Sequence, residues 1–466
     1  MAALRGLRQL LCVVPLMALA ACNGVGKGDK IDHLQMTQLV GTAVVTLPSN
    51  DQVLGYQCLR QQLGMVAVFG KNGSIDYSQR PATVWTSSSP DVVRVSNADE
   101  LDPTSPGRFF PKGVITPLKA GSAVITAEYA GLSTSVQVIV REPDSIILST
   151  SQFDTLSNAS TAGTLSIAKG STQQYYAYAR VRDQNDIVVV QDVTGNAEWS
   201  TPDDPNNSYV RVTTPAAGST SGGGLVTGLA ASGPVTIQAN FSACPGTQYE
   251  YITADVQVAG VHSLSVQHDP VFNPAVPLVV GTREALKVIA TLNNGATQDL
   301  SLQVVLKATG STNTVGFAGN VVSALAVGTT NISATFGSYA ASPPLTLNTQ
   351  SAVLSNYEIN PTDQNPQIAT QSFYDRFHAR GTFTPVLGGG TFLQDLTHDT
   401  LWASSVPTDV SIGNAADISG VAVSRKSEKT CVTIAAVLNA AIQTDSLKSD
   451  TTKLGVGVGV TPSTCP

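Results

Sequence analysis

Charge is scarce in this sequence of 466 residues: 13% are Asp, Glu, Lys or Arg, about half the share of an ordinary globular protein. Lys and Arg number 26 against 33 Asp and Glu, and they form no stripe along the chain. That absence excludes a surface able to track a phosphate backbone, so nucleic acid is not expected as a partner. Histidine is rarer still. His33, His262, His268, His378 and His398 are scattered, and no His-x-x-x-His or Cys-x-x-Cys spacing occurs, so no zinc site and no cofactor are expected. Beyond the N-terminal stretch, nothing supplies the roughly eighteen consecutive apolar residues of a membrane-spanning helix.

What the sequence does have begins at its N-terminus. Arg5 and Arg8 precede an apolar run from Leu10 to Ala20, and Leu19-Ala20-Ala21-Cys22 follows with no acid nearby. About eleven residues at ~1.5 Å each cannot cross a hydrocarbon core of ~30 Å, which points to a signal peptide over 1–21. The Leu-Ala-Ala-Cys ending resembles the lipobox of bacterial lipoprotein precursors. That resemblance implies cleavage before Cys22, a diacylglycerol on its thiol, and a membrane partner through the lipid. Two or three acyl chains suffice for stable anchoring. Removing the leader takes away two arginines and no acid, moving the formal charge from −7 to −9. Residues 22–30 are then a short lipidated tether. Asn23, where an Asp would signal inner-membrane retention in enteric-type sorting, leans towards the outer membrane.

Gly, Ser, Thr and Val are abundant, and the chain repeats itself. One segment runs Gly113-Val114-Ile115-Thr116-Pro117-Leu118-Lys119-Ala120-Gly121 and on through Val124-Ile125-Thr126-Ala127-Glu128-Tyr129. It returns as Gly224 to Phe241, as Asn320 to Phe336, and more weakly from Gly420 to Ala436. Each copy reads as a strand, a turn, and a strand whose alternate side chains face a core. Upstream of each lies another strand and turn: Met65 to Phe69, Tyr175 to Val181, Leu286 to Leu292, and Phe377 to Phe383. Turns such as Asn293-Asn294-Gly295 supply the positive φ that hairpins need. Trp85, Trp199 and Trp402 then follow as core plugs, and the third copy offers Val305-Leu306 instead.

This order resembles the bacterial immunoglobulin-like domain of group 2, found in intimin- and invasin-type adhesins. The first copy matches best, from Trp85-Thr86-Ser87-Ser88-Ser89-Pro90-Asp91-Val92 to Tyr129, and the fourth is divergent. The resemblance implies an all-β chain of tandem immunoglobulin-like β-sandwich domains, placed at 31–142, 143–259, 260–354 and 355–466. It also implies surface display and contact with other cell-surface or envelope proteins or glycans.

Cys58, Cys244, Cys431 and Cys465 allow three pairings. Sandwich topology sets Cys58, near the first turn of domain one, towards Cys244 in the last hairpin of domain two, and that bridge is expected. Cys431 and Cys465 fall at the C-terminal pole of domain four, where a second bridge is expected. An exported location permits both.

No residue cluster reads as catalytic. Ser166-Ile167-Ala168-Lys169 matches the Ser-x-x-Lys of penicillin-recognising enzymes, but the companion signatures are missing. Gly218-Ser219-Thr220-Ser221-Gly222 outlines a nucleophile elbow without its central serine and reads as a loop. Asp183-Gln184-Asn185-Asp186 and Asp203-Asp204 have the oxygen-rich look of calcium ligands, yet that turn recurs elsewhere with neutral residues. Tyr175, Tyr176, Tyr178, Tyr249 and Tyr251 place rings on adjacent strands and raise a glycan- or protein-contacting patch. The expectation is a non-catalytic envelope lipoprotein acting as a spacer or adhesive stalk. A periplasmic carbohydrate- or peptidoglycan-binding module, or a structural subunit of an envelope assembly, are its alternatives.

Overall fold

The computed structural model describes residues 30–40, 43–47, 52–70, 73–101, 109–150, 164–182, 186, 188–215, 222–241, 247, 249–268, 277–310, 313–359, 367–368, 374–415, 418–424, 430–439, 448–456, 460 and 465. Apart from short 3₁₀ turns such as Thr194–Asn196 and Thr397–Asp399, the regular elements among the described residues are strands. The clearest block is the third. One sheet orders Val261–His268, Arg283–Leu292, Val321–Ala324 and Val315–Ala318, with Thr297–Asp299 beside Arg283–Leu292. The other orders Leu278–Val279, Leu345–Gln350, Gly328–Phe336 and Val305–Gly310. First, second, fifth and fourth main strands in one sheet, with the third, sixth and seventh in the other, is the immunoglobulin-like arrangement.

The same order recurs in the other three blocks. In the first, His33–Val40, Gln61–Val68, Val114–Pro117 and Val93–Val95 face Gln52–Tyr56, Leu132–Arg141, Gly121–Tyr129 and Val84–Ser87. In the second and fourth, the second main strand is interrupted. Thr172–Gln174 and Tyr176–Arg182 flank Tyr175, and Tyr374–Arg376 and Ala379–Pro385 flank Phe377-His378, so each first sheet is split in two. Tyr175 and Phe377 are fully buried at these breaks. No sheet among the described residues draws strands from two blocks. The chain is therefore a tandem array of immunoglobulin-like β-sandwiches. It forms two compact units: one holds the first sandwich, and the other holds the remaining three together with Tyr56–Leu59.

Alternation builds each core, because a strand's successive side chains point to opposite faces. Along Gln61–Val68, Leu63, Met65 and Ala67 are buried while their neighbours are not. Ala123, Ile125 and Ala127 face them from Gly121–Tyr129. The tryptophans sit opposite alanines: Trp85 pairs with Ala127, Trp199 with Ala239 and Trp402 with Ala436. In the third sandwich Leu306 takes the same place against Ala334, while Val305 is exposed. A methyl group across the ladder leaves room for the indole.

A polar bracket holds each plug. Asp76, Asp192, Asp299 and Asp395 each accept the backbone N–H two residues on, from Ser78, Thr194, Ser301 and Thr397. The hydroxyls of those four residues in turn accept the N–H of Met65, Ala177, Val288 and Ala379 on the buried strand. Their carbonyls finish the bracket. Trp85 Nε1 donates to Ser78 O, Trp199 Nε1 to Thr194 O and Trp402 Nε1 to Thr397 O, at 3.0–3.3 Å. Each of the three buried indole N–H groups thus has a carbonyl partner, as burial demands. The glycine that opens three of the repeats is also required here. Gly113, Gly224 and Gly420 hold φ between +72° and +82°, and a Cβ would meet the carbonyl oxygen of Leu63, Tyr175 or Phe377.

Candidate functional site

In the second unit the sandwiches are joined by a repeated clasp. The residue before the bracket aspartate is Gln298 in the third sandwich and Gln394 in the fourth, each on a short strand (Thr297–Asp299, Phe392–Asp395) and buried. Gln298 Oε1 accepts Ala168 N–H at 2.7 Å and the Ser171 hydroxyl at 2.9 Å, and its Nε2 donates to Thr172 O. Gln303 accepts Thr172 N–H at 2.7 Å and donates back to Thr172 O at 2.8 Å. Asn294, at the hairpin tip, donates to Ser166 Oγ at 2.9 Å. Apolar packing follows the same line, with Ala168 and Ala259 of the second sandwich lying in the core of the third.

One joint further on, the pattern repeats with an ion pair added. Gln394 Oε1 accepts Val279 N–H at 2.9 Å, and its Nε2 donates to Thr282 Oγ1 at 2.6 Å. Val279 packs in the fourth core. Arg283 then donates from its backbone to Asp399 Oδ2 at 2.8 Å and from Nε to Oδ1 at 2.9 Å, while its Nη2 reaches His398 O. The Asp399 side chain is 1% exposed and that of Arg283 42%. Burial pushes the Asp399 carboxyl up to about 6, although the Arg283 N–H groups and charge pull the other way. Nearby, burial raises the Tyr357 phenol to about 12; its hydroxyl shares a 2.8 Å hydrogen bond with Thr400 Oγ1.

The residues singled out in the sequence do not converge. Cys431 and Cys465 form a disulfide, tying the start of strand Thr430–Leu438 to the last residues. Cys58 is buried and disulfide-bonded. Cys244, Cys22 and the whole N-terminal segment 1–29 lie outside the described residues. Ser166 serves the joint between the second and third sandwiches through Asn294, while Lys169 N–H bonds Ala259 O within the second sandwich where the strand ends, so the two residues of the Ser-x-x-Lys match do separate structural jobs. Asp183 to Asn185 lie outside the described residues. Asp204 accepts the N–H groups of Ser208, Tyr209 and Val210, and Asp186 pairs with Arg182. Among the described residues, no group of three His, Cys, Asp or Glu stands where it could hold a metal ion.

The tyrosines divide between faces: Tyr175 and Tyr178 are buried, Tyr176 stacks on Tyr178 at 6.0 Å, and Tyr251 is exposed. Tyr249 donates to Pro143 O at 2.6 Å. They do not make one open patch. His262 is exposed, whereas His268 bonds Glu284 at 2.6 Å, and that hydrogen bond lifts the imidazole above its ordinary value despite partial burial. The clasp residues went unmarked in the sequence. A Gln ahead of each Asp-Leu-Ser or Asp-Leu-Thr was the available signal.

Neither a family model nor a curated protein matches the chain. Among solved structures it is similar to domains 4–9 of the surface layer protein SbsC, at 14% identity and a TM-score of 0.22, over 91% of this chain and 66% of that one. The S-layer protein rSbsC gives 14% identity and a TM-score of 0.22, over 91% and 62%. Invasin, a bacterial integrin-binding protein, gives 13% identity and a TM-score of 0.18, over 91% and 79%. The chain spans about two thirds or less of the length of those two surface-layer structures.

Proposed function

We propose that this protein is a non-catalytic cell-envelope lipoprotein, anchored by lipid at Cys22, whose tandem sandwiches act as a spacer or adhesive stalk of the bacterial immunoglobulin-like group 2 kind. The observation that carries this reading is where the polar side chains go. The four bracket aspartates are spent on holding their own sandwiches together, and Gln298, Gln303, Gln394, Arg283 and Asp399 on fastening one sandwich to the next. Such a division suits a mechanical element that sets distance and presents surfaces. The Leu-Ala-Ala-Cys ending supports the anchor, and Asn23 supports the outer membrane as its site.

Two experiments test it. Cells fed an alkyne-labelled fatty acid should label the wild-type protein and not the Cys22→Ser variant; equal labelling of both removes the anchor. Protease added to intact cells should digest a surface-displayed stalk. Full protection would place the protein on the periplasmic side and favour a glycan-binding or assembly role there.

A further inference from the structure

We propose that the third sandwich pairs with a second copy of this chain along the edge strand Val305–Gly310, which stands open where the matching strands of the other sandwiches are closed. The inference goes beyond the stalk reading and does not depend on it. Val84–Ser87, Glu198–Ser200, Val305–Gly310 and Thr400–Ser404 each end their sheet, with a neighbour on one side only. Every second residue of such a strand turns its N–H and C=O away from the ladder, a ready template for another chain. Three of the four strands are blunted. Asn97 Oδ1 accepts Trp85 N–H at 2.8 Å, while its Nδ2 donates to Trp85 O at 2.7 Å. Asn414 holds Trp402 in the same way, at 2.7 and 3.0 Å. The Thr214 hydroxyl accepts Trp199 N–H at 3.3 Å and donates to Trp199 O at 2.9 Å. Pro90, Pro202 and Pro407 then stop each strand from being extended.

The third sandwich has neither guard. Each capping residue stands four places after the buried valine of the next strand: Asn97 after Val93, Thr214 after Val210 and Asn414 after Val410. The same count from Val315 reaches Gly319, which has no side chain to offer. No proline stands between Leu306 and Asn313. Leu306 occupies the tryptophan's register, opposite Ala334, so its N–H and C=O point outward, and those of Ala308 and Gly310 follow by alternation. Among the described residues, nothing caps these three on that side. At six residues the strand is also the longest of the four.

What the open strand fits best is itself. Two antiparallel registers set outward residues against outward residues over most of its length. The one centred on Lys307 brings the strand's only charge against its twin, and like charges directly opposite repel. The one centred on Ala308 sets each Lys307 across from the neutral Thr309 of the other copy and Leu306 across from Gly310, with Ala308 meeting Ala308. Charge and bulk are then both matched. The facing pairs would exchange about six hydrogen bonds and run one sheet through both copies. A single strand edge hides less than the ~1,200 Å² at which stable interfaces begin, so pairing follows concentration.

Sedimentation and amide hydrogen exchange of the full chain from Asn23 onward, at low micromolar and near-millimolar concentration, test the pairing. At the higher concentration the chain should sediment as a dimer. The N–H groups of Leu306, Ala308 and Gly310 should then exchange about 5-fold more slowly, once about four fifths of the chains are paired. Trp85 and Trp402 N–H, already capped by Asn97 and Asn414, should not change. Ala308→Pro removes one outward donor and no ladder bond, and should leave the chain folded and monomeric. Gly319→Asn is a second block without a proline. A Cβ there meets nothing within 4 Å, its φ of +61° is one that asparagine tolerates, and its amide restores the missing cap. It too should return the three amides to fast exchange. Dimers that persist undiminished in either folded variant, or that form without slowing the three amides, overturn the proposal. So does a chain that stays monomeric at the higher concentration, which leaves the edge to a foreign strand.

Discussion

Replacing Gln298 by Leu should loosen one joint and spare the sandwiches on either side. The amide accepts Ala168 N–H and the Ser171 hydroxyl and donates to Thr172 O. Ser171 has a second acceptor in Ala168 O at 2.8 Å and keeps a bond when the glutamine is lost. Ala168 N–H does not, and a buried orphan donor costs about 1–3 kcal/mol. The lost Thr172 bond adds about 0.5–1 kcal/mol, and the apolar leucine recovers part of the total. A net loss of about 2–3 kcal/mol corresponds to joint opening roughly 30- to 150-fold more frequent. Hydrogen exchange at Ala168 measures that frequency. Lys169 and Gly170, whose N–H groups bond Ala259 O and Gly228 O within the second sandwich, are the internal references. Ala168 exchange within about threefold of wild type would refute the reasoning. Equal acceleration at all three positions would show that the second sandwich had loosened as a whole, which is a different defect.

Other perturbations separate the remaining contributions. Trp402→Ala empties the plug of the fourth sandwich, while Thr397 O keeps its hydrogen bond from the Ser419 hydroxyl, so that sandwich should lose about 3–5 kcal/mol in denaturant titration and the first should be unaffected. Reducing the Cys431–Cys465 bridge frees a loop of 34 residues and should lower the stability of the same sandwich by about 3–4 kcal/mol. The raised imidazole of His268 contributes stability that is fully present below about pH 6.5 and fades as pH climbs through its higher folded value. An NMR titration should place its midpoint above the ordinary histidine value in the wild type and bring it down to that value or below in Glu284→Gln, where burial alone acts on it.

The strands, their alternation and the tryptophan plugs were legible because each leaves a periodic trace. Trp85, Trp199 and Trp402 follow a strand and turn at similar intervals, and the third copy's Val305-Leu306 left open which residue fills the gap. Position across from Ala334 decides it for Leu306, since strand parity sends Val305 outward. The bracket was equally visible and went unread. Asp76-Tyr77-Ser78, Asp192-Val193-Thr194, Asp299-Leu300-Ser301 and Asp395-Leu396-Thr397 stand at matching places ahead of each plug. Short Asp-x-Ser and Asp-x-Thr runs are common in turns, so their structural duty shows only with the strand they serve. The joints were not legible at all. Gln298 and Gln394 are anonymous polar residues until the preceding sandwich brings Ala168 or Val279 against them. The tyrosine cluster fails for the complementary reason: Tyr175, at the break between two strands, and Tyr178, within the second of them, are both buried.

Pulling the full mature chain end to end in a single-molecule force experiment tests the tandem organisation most directly. With dithiothreitol present, so that the Cys58 bridge withholds no length, four separate unfolding events are expected, each lengthening the chain by roughly 300–400 Å at about 3.5 Å per residue. Without reductant, the event from the fourth sandwich should fall short by about 120 Å, because its 34-residue loop is closed by Cys431–Cys465. One cooperative event releasing the whole length, or four equal events blind to reductant, would contradict the account.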